Sequence, residues 1–200
     1  AGRSDIAAQQ AQTAVDEGAK IIIGPLFAEA ANAAGVAVAD EGVNILSFSN
    51  SSAIAGGNVF VLGKTFDNTA ERVIRYLAST GKQRAVIVYP DNLEGDSGRI
   101  ALEKAAQYSS LKIAHSQAFE FSQEGVIAAI PFIRAAVEIE DADTILLTST
   151  TAGALGLLVQ LLPEAGIDPA KVQYAGLARW DVPMQTLALS GVQGGLFALP

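Results

Sequence analysis

The sequence contains no cysteine, which excludes disulfides, thiolate nucleophiles and thiolate metal sites. Its single histidine, His115, rules out a site built on two imidazoles. Basic residues are scarce: 13 Lys and Arg stand against 21 Asp and Glu, a formal charge of -8. Nucleic acid is disfavoured as a main partner, because phosphate binding needs a basic footprint. Electrostatic attachment to an anionic bilayer is disfavoured for the same reason. No apolar run approaches the roughly 18 residues of a membrane-spanning helix, so no span is expected. Neither a nucleophile elbow nor a phosphate-binding loop ending in Lys and Ser or Thr is present. No cofactor is expected.

What is present is a 200-residue chain with 50% hydrophobic and 17% charged residues. That length suits one ordinary domain or two small lobes, and the apolar fraction excludes a disordered chain. Short β-rich runs recur at residues 20–24 (KIIIG), 44–49 (NILSFS), 58–62 (NVFVL), 84–89 (RAVIVY), 112–119, 144–148 (TILLT), 172–177 (VQYAGL) and 195–199. Most lack polar alternation, as in strands buried on both faces of a parallel sheet. Stretches of helical period fill the intervals: 4–17, 28–41, 68–80, 95–108, 124–137 and 153–165. Asn68 and Glu71 are spaced as a capping box, and Gly81 and Gly166 stand where C-terminal caps belong. Pro131 marks a kink in its helix. Alternating helix and strand is the signature of βα units.

The rhythm breaks at residues 58–62, which follow the preceding strand across a Ser/Gly/Ala loop too short for a helical crossover. Residues 63–66 read as a hinge leading from one sheet into another. Two full strands ahead of it make no stable sheet alone, and the first helix should follow a strand that is absent. The expectation is therefore a fragment: a partial first lobe at 1–62, a hinge at 63–66, and a second lobe at 67–200 that returns toward the first.

Some strings invite chemistry and do not support it. Gly95-Asp96-Ser97-Gly98 matches the surroundings of a serine-protease nucleophile, but it opens an amphipathic helix, where Asp96 or Ser97 serves as an N-cap. Asp141 and Asp143 precede a strand and read as exposed carboxylates, and Gly56-Gly57 reads as a turn with no helix directly behind it. No acid–base or nucleophile constellation converges, so the chain is not expected to be an enzyme.

The string 17–26 (EGAKIIIGPL) resembles a segment of the type I periplasmic binding proteins, within their Leu/Ile/Val-binding and extracellular ligand-binding receptor group. Residues 44–52 (NILSFSNSS) resemble that group's strand and ligand loop, 59–62 (VFVL) its first hinge strand, 84–95 (RAVIVYPDNLEG) its second-lobe strand and turn, and 191–195 (GVQGG) the segment before the chain returns. The resemblance implies a two-lobe α/β fold of Rossmann-like parallel sheets flanked by helices, present here as a fragment. It implies a periplasmic solute-binding protein holding a small ligand non-covalently in an interlobe cleft, for an ABC transporter and its membrane permease. The connection at 63–71 is similar to that of lipoprotein activators of penicillin-binding proteins. On that alternative the chain is a cell-envelope interaction module whose partner is a peptidoglycan synthase. Either way the resemblance implies the periplasm or cell envelope, with a lipid anchor on the intact protein one option.

Ligands of open α/β sheets meet loops at the carboxyl ends of strands. Ser49, Asn50 and Ser51 lie on one such loop, where short hydroxyls and amides can cradle a carboxylate or a sugar hydroxyl, or simply form a Ser/Asx turn. By resemblance, Ser51 stands at the family's ligand-binding Ser or Thr. Phe27, Asn92, Leu93 and Thr150 lie on equivalent loops, as do Arg179 and Trp180. Trp180, the sole tryptophan, either stacks on a ligand or packs against its own lobe. The family's acidic partner for an amino-acid ammonium falls near Ala178, beside Arg179. That departure points to a neutral or anionic small molecule, because a buried unpaired ammonium is costly.

Overall fold

In the computed structural model the described residues are 3–63, 65–150, 153–181 and 184–198. They divide into two units, Ala1–Phe66 and Asp67–Pro200.

The first unit runs α1 (Ser4–Asp16), β1 (Ile21–Ile23), α2 (Ala28–Ala37), β2 (Asn44–Ser47), a 3-10 turn (Ser52–Ile54) and β3 (Val59–Val61). The strands form a parallel sheet in the order β1-β2-β3. One row of the register, Ile22, Ile45 and Val59, faces the helices. Ala11 of α1 and Ala34 of α2 meet Ile45 and Val59 in the core. Small residues are needed there: a Cβ on Gly35 would stand 2.3 Å from Val59 Cγ2. Asn58 fastens the same corner, its Nδ2 donating to the carbonyls of Gly35 (3.1 Å) and Val43 (3.2 Å).

No α-helix links β2 to β3, but the expectation of only two full strands ahead of the hinge is corrected, because β3 makes a third. β3 pairs parallel to β2, Ile45 opposite Val59. The Ser52–Ile54 turn compacts the link enough to carry the chain over without an α-helix.

The second unit runs α3 (Phe66–Ser79), β4 (Arg84–Pro90), α4 (Leu93–Ala106), β5 (Lys112–Phe119), α5 (Gln123–Ile139), β6 (Thr144–Leu147), α6 (Leu155–Glu164), β7 (Gln173–Gly176), two 3-10 turns (Met184–Ala188 and Ser190–Val192) and β8 (Leu196–Phe197). All five strands are parallel, in the order β5-β4-β6-β7-β8. Ala85, Val86, Ile87 and Val88 of β4 and Ile145, Leu146 and Leu147 of β6 are buried, as strands covered on both faces require. Chain order runs outward from β4 to β5, then jumps back to β6 on the other side of β4. The carboxyl ends of β4 and β6 therefore flank a topological switch point, where open α/β sheets bind ligands.

Three local expectations are corrected. Asn68 does not start a capping box, because α3 already begins at Phe66. Neither Asp96 nor Ser97 is an N-cap: α4 begins at Leu93 and is capped by Asn92, whose Oδ1 accepts from Gly95 N at 2.8 Å. Asp96 instead pairs with Arg99, and Ser97 Oγ donates to the carbonyl of Leu93. Gly81 and Gly166 do end their helices, with φ of +86° and +94°.

Candidate functional site

In the first unit the loops after β1 and β2 are tied together at Pro25. Its carbonyl accepts from Ser47 Oγ at 2.8 Å and from Phe48 N at 3.2 Å. Ser47 Oγ in turn accepts from Ser49 N, and Ser49 Oγ from Ser51 N, each at 3.1 Å. Two hydroxyls thus cap the amides two residues on, the turn chemistry of short hydroxyl side chains. Ser49 and Ser51 are buried at 1% and 5% exposure. Of the two readings of this loop, the structure displays the Ser turn. Asn50 is half-buried, and its carbonyl accepts from Phe66 N at 3.0 Å. Phe27 precedes α2 as its N-cap residue and is 53% exposed, beside exposed Leu26.

In the second unit, three adjacent carboxyl ends carry the expected loops. Asn92 and Leu93 follow β4, Thr150 follows β6, and Arg179 and Trp180 follow β7. Gly98 draws α4 onto the latter two strands: a Cβ there would stand 2.9 Å from Thr148 Cβ and 3.3 Å from Leu177 Cδ1. The side chain of Asn92 is engaged as the α4 cap, and Leu93 is exposed. The carbonyl of Thr150 accepts from Gly153 N and Leu155 N at the start of α6. Arg179 is exposed and bidentate to Asp181, Nε to Oδ1 at 2.9 Å and Nη2 to Oδ2 at 2.6 Å. That guanidinium holds the Asp181 carboxyl below the usual carboxylate range, and the carboxylate raises the pKa of Arg179.

Trp180 does not present a stacking face. It is 1% exposed and belongs to the core with Val86, Leu147, Tyr174 and Leu155. Two glycines make its berth: a Cβ on Gly176 would meet Nε1 at 2.5 Å, and one on Gly195 would meet Cζ3 at 2.3 Å. The sequence alternatives were a ring open to ligand or one packed on its own lobe; the structure has the packed ring.

Beside Thr150, sequence reasoning singles out neither Thr148 nor Ser149. Thr148 Oγ1, Ser149 Oγ and Trp180 Nε1 are buried and have no hydrogen-bond partner. The only signal of Thr148 and Ser149 in the chain is position after an apolar strand, which does not distinguish one hydroxyl from the next.

A recess of about 480 Å³ lies elsewhere, at the amino ends of β4 and β6, lined by residues such as Arg84, Arg134, Glu138 and Asp143. Several of its charges are engaged locally: Arg84 with Glu140, Arg134 with Glu138, and Asp143 with the amide of Gln83. It is a seam between elements, on the side of the sheet where α/β folds do not place ligands. Among the described residues, no group of His, Asp or Glu is arranged to hold a metal ion, and no helix is long and apolar enough to cross a membrane.

Residues 1–200 match the family described as periplasmic binding protein. The chain belongs to the periplasmic binding protein family. Solved structures of similar fold include an ABC transporter substrate-binding protein from Desulfitobacterium hafniense, at 21% identity and a TM-score of 0.76, covering 92% of this chain and 54% of that one. Another is the leucine-, isoleucine-, valine-, threonine- and alanine-binding protein of Brucella ovis in a closed conformation, at 17% identity and a TM-score of 0.73, covering 88% of this chain and 47% of that one. A third is a solute-binding protein of an ABC transporter from R. palustris in complex with 4-hydroxybenzoate, at 16% identity and a TM-score of 0.69, covering 88% and 48%. At these identities the likeness is one of fold, that of type I periplasmic binding proteins. The chain spans about half the length of these relatives. No curated protein matches it.

Proposed function

We propose that this chain contributes to a receptor that binds a small solute non-covalently, without catalysis, at the loops on the carboxyl ends of its two parallel sheets. The observation that carries the reading is the switch point between β4 and β6, bordered by the 90–93 and 148–150 loops. Membership of the periplasmic binding protein family supports it. The cleft between lobes, with 63–66 as its hinge, is part of the same proposal, as are a location in the periplasm or cell envelope and delivery to an ABC permease. Relatives named for leucine and for 4-hydroxybenzoate suggest the size of the solute.

A second reading, an envelope module that binds a protein such as a peptidoglycan synthase, is favoured by one feature. The first-unit loops show exposed Leu26 and Phe27, while Ser49 and Ser51 are turned inward.

Thermal unfolding in the presence of amino acids, aliphatic and aromatic carboxylates, their amides and purines tests the first reading. A solute at a hundred times its Kd should add about 2.7 kcal/mol of stability. No shift with any of these, together with specific retention of a peptidoglycan synthase, would replace it with the second.

A further inference from the structure

We propose that the outward face of α5 is a two-fold interface at which a second copy of this chain docks. The inference is independent of the solute-binding reading and concerns the second unit alone. α5 buries Val126, Ala129, Ile133, Ala136 and Val137. A helix that packs one face on a core is normally polar on the other. Here Phe132 is 64% exposed and Ile139 80% exposed, with Ala128 and Ala135 exposed beside them.

Ala128, Phe132, Ala135 and Ile139 follow one another at steps of four, three and four residues. That spacing keeps apolar side chains on one line of a helix and makes a seam for a second helix. No charged residue lies on the line. Ile127, also exposed, stands roughly a third of a turn away around the helix, off the seam.

The seam is complementary to itself, because small and large residues alternate along it. A two-fold axis passing between Ile133 and Arg134 runs two copies of α5 antiparallel. It sets Phe132 opposite Ala135 of the second copy and Ile139 opposite Ala128, and each pair occurs twice, as an isologous contact requires. Parallel pairing would instead crowd Phe132 on Phe132 and leave the alanines facing each other across a gap.

Charge points to the same face. The chain carries a formal charge of -8, so two copies repel wherever their charged surfaces meet. Beside the seam, Glu138 is already paired with Arg134 at 2.8 Å. Under the same two-fold it falls nearest Pro131 of the second copy rather than another acid. Each copy would cover on the order of 400 Å² there, the low end for a specific interface, so the dimer is expected to be weak and concentration-dependent.

The test is sedimentation of the whole chain from micromolar to millimolar concentration. Reversible dimers should form in the upper part of that range and tighten in added salt, which screens the repulsion. Phe132→Glu and Ala135→Glu should each weaken dimerisation about tenfold or more, with unchanged circular dichroism and melting of the monomer. Ile127→Glu, on the same helix but off the seam, should leave it unchanged. Because the chain has no cysteine, introduced thiols report which residues meet. Ala128→Cys mixed with Ile139→Cys should oxidise to mixed dimers faster than either variant does alone. A chain that stays monomeric at millimolar concentration overturns the proposal. So does a dimer that survives both glutamate substitutions, or one whose cysteine variants cross-link with themselves instead of with each other.

Discussion

The indole of Trp180 lies so close over Gly176 that a Cβ there would stand 2.5 Å from Nε1 and 2.7 Å from Cζ2. Backbone holds the glycine in the middle of the sheet, between Leu147 of β6 and Phe197 of β8. The ring, not the strand, would have to yield. Gly176→Ala is therefore expected to destabilise the second unit by about 1–3 kcal/mol, as overpacking of a close-packed core does. Urea unfolding followed by the emission of Trp180 reads both the midpoint and the ring's new environment. An unchanged midpoint and spectrum would contradict the packing described.

Tyr174 sits in the same core and donates from its hydroxyl to the carbonyl of Ile167 at 2.7 Å. Burial raises its pKa above the ordinary tyrosine value, with the charge of Asp168 acting in the same direction. A folded-state pKa raised in this way contributes stability that is complete below about pH 10, the unfolded value. That contribution falls as pH rises further, because the unfolded chain ionises first. Tyr174→Phe should cost about 1 kcal/mol at neutral pH through the lost hydrogen bond. The loss of stability between about pH 10 and 11.5 should be shallower in the variant. Urea midpoints across that range check the sign, and parallel curves would refute it.

Asn92 caps α4 through Gly95 N at the switch point. Asn92→Ala should destabilise by about 1 kcal/mol, whereas Asn92→Asp, which keeps the accepting oxygen, should not. If both variants retain solute affinity, Asn92 is a cap and no more. Affinity lost in Asn92→Asp at unchanged stability would mark it as a ligand contact.

In the first unit, Asn58 donates to the carbonyls of Gly35 and Val43. Asn58→Leu leaves those buried acceptors without a donor and should cost about 1–3 kcal/mol. Hydrogen exchange should localise the loosening to α2 and β3. Protection lost in the second unit instead would show that the effect is not local.

Much of this architecture was legible in the chain. The run TILLT at β6 and RAVIVY at β4 are apolar without alternation, and only a sheet covered on both faces buries such runs. Gly81 and Gly166 marked helix ends because a positive φ suits glycine. Caps were less legible. Asp96 and Ser97 are as good an N-cap by residue type as Asn92, and only the paths of β4 and α4 select among them. The site was least legible, since the side chains of Ser49 and Trp180 could face either way. Ser49 is taken up by the amide of Ser51, and Trp180 by the space that Gly176 and Gly195 leave open.

The order of residues by itself determined the alternation of helix and strand and the parallel class of the sheets, because periodicity and β-branched runs act over a few neighbouring residues. Only the tertiary structure decided that β3 returns parallel through a 3-10 turn, that β4 and β6 flank a switch point, and that Trp180 is enclosed in the core rather than open at its loop. Those features arise from contacts between residues far apart in the chain. Burial and the demand for hydrogen-bond partners act there on whichever groups the fold brings together.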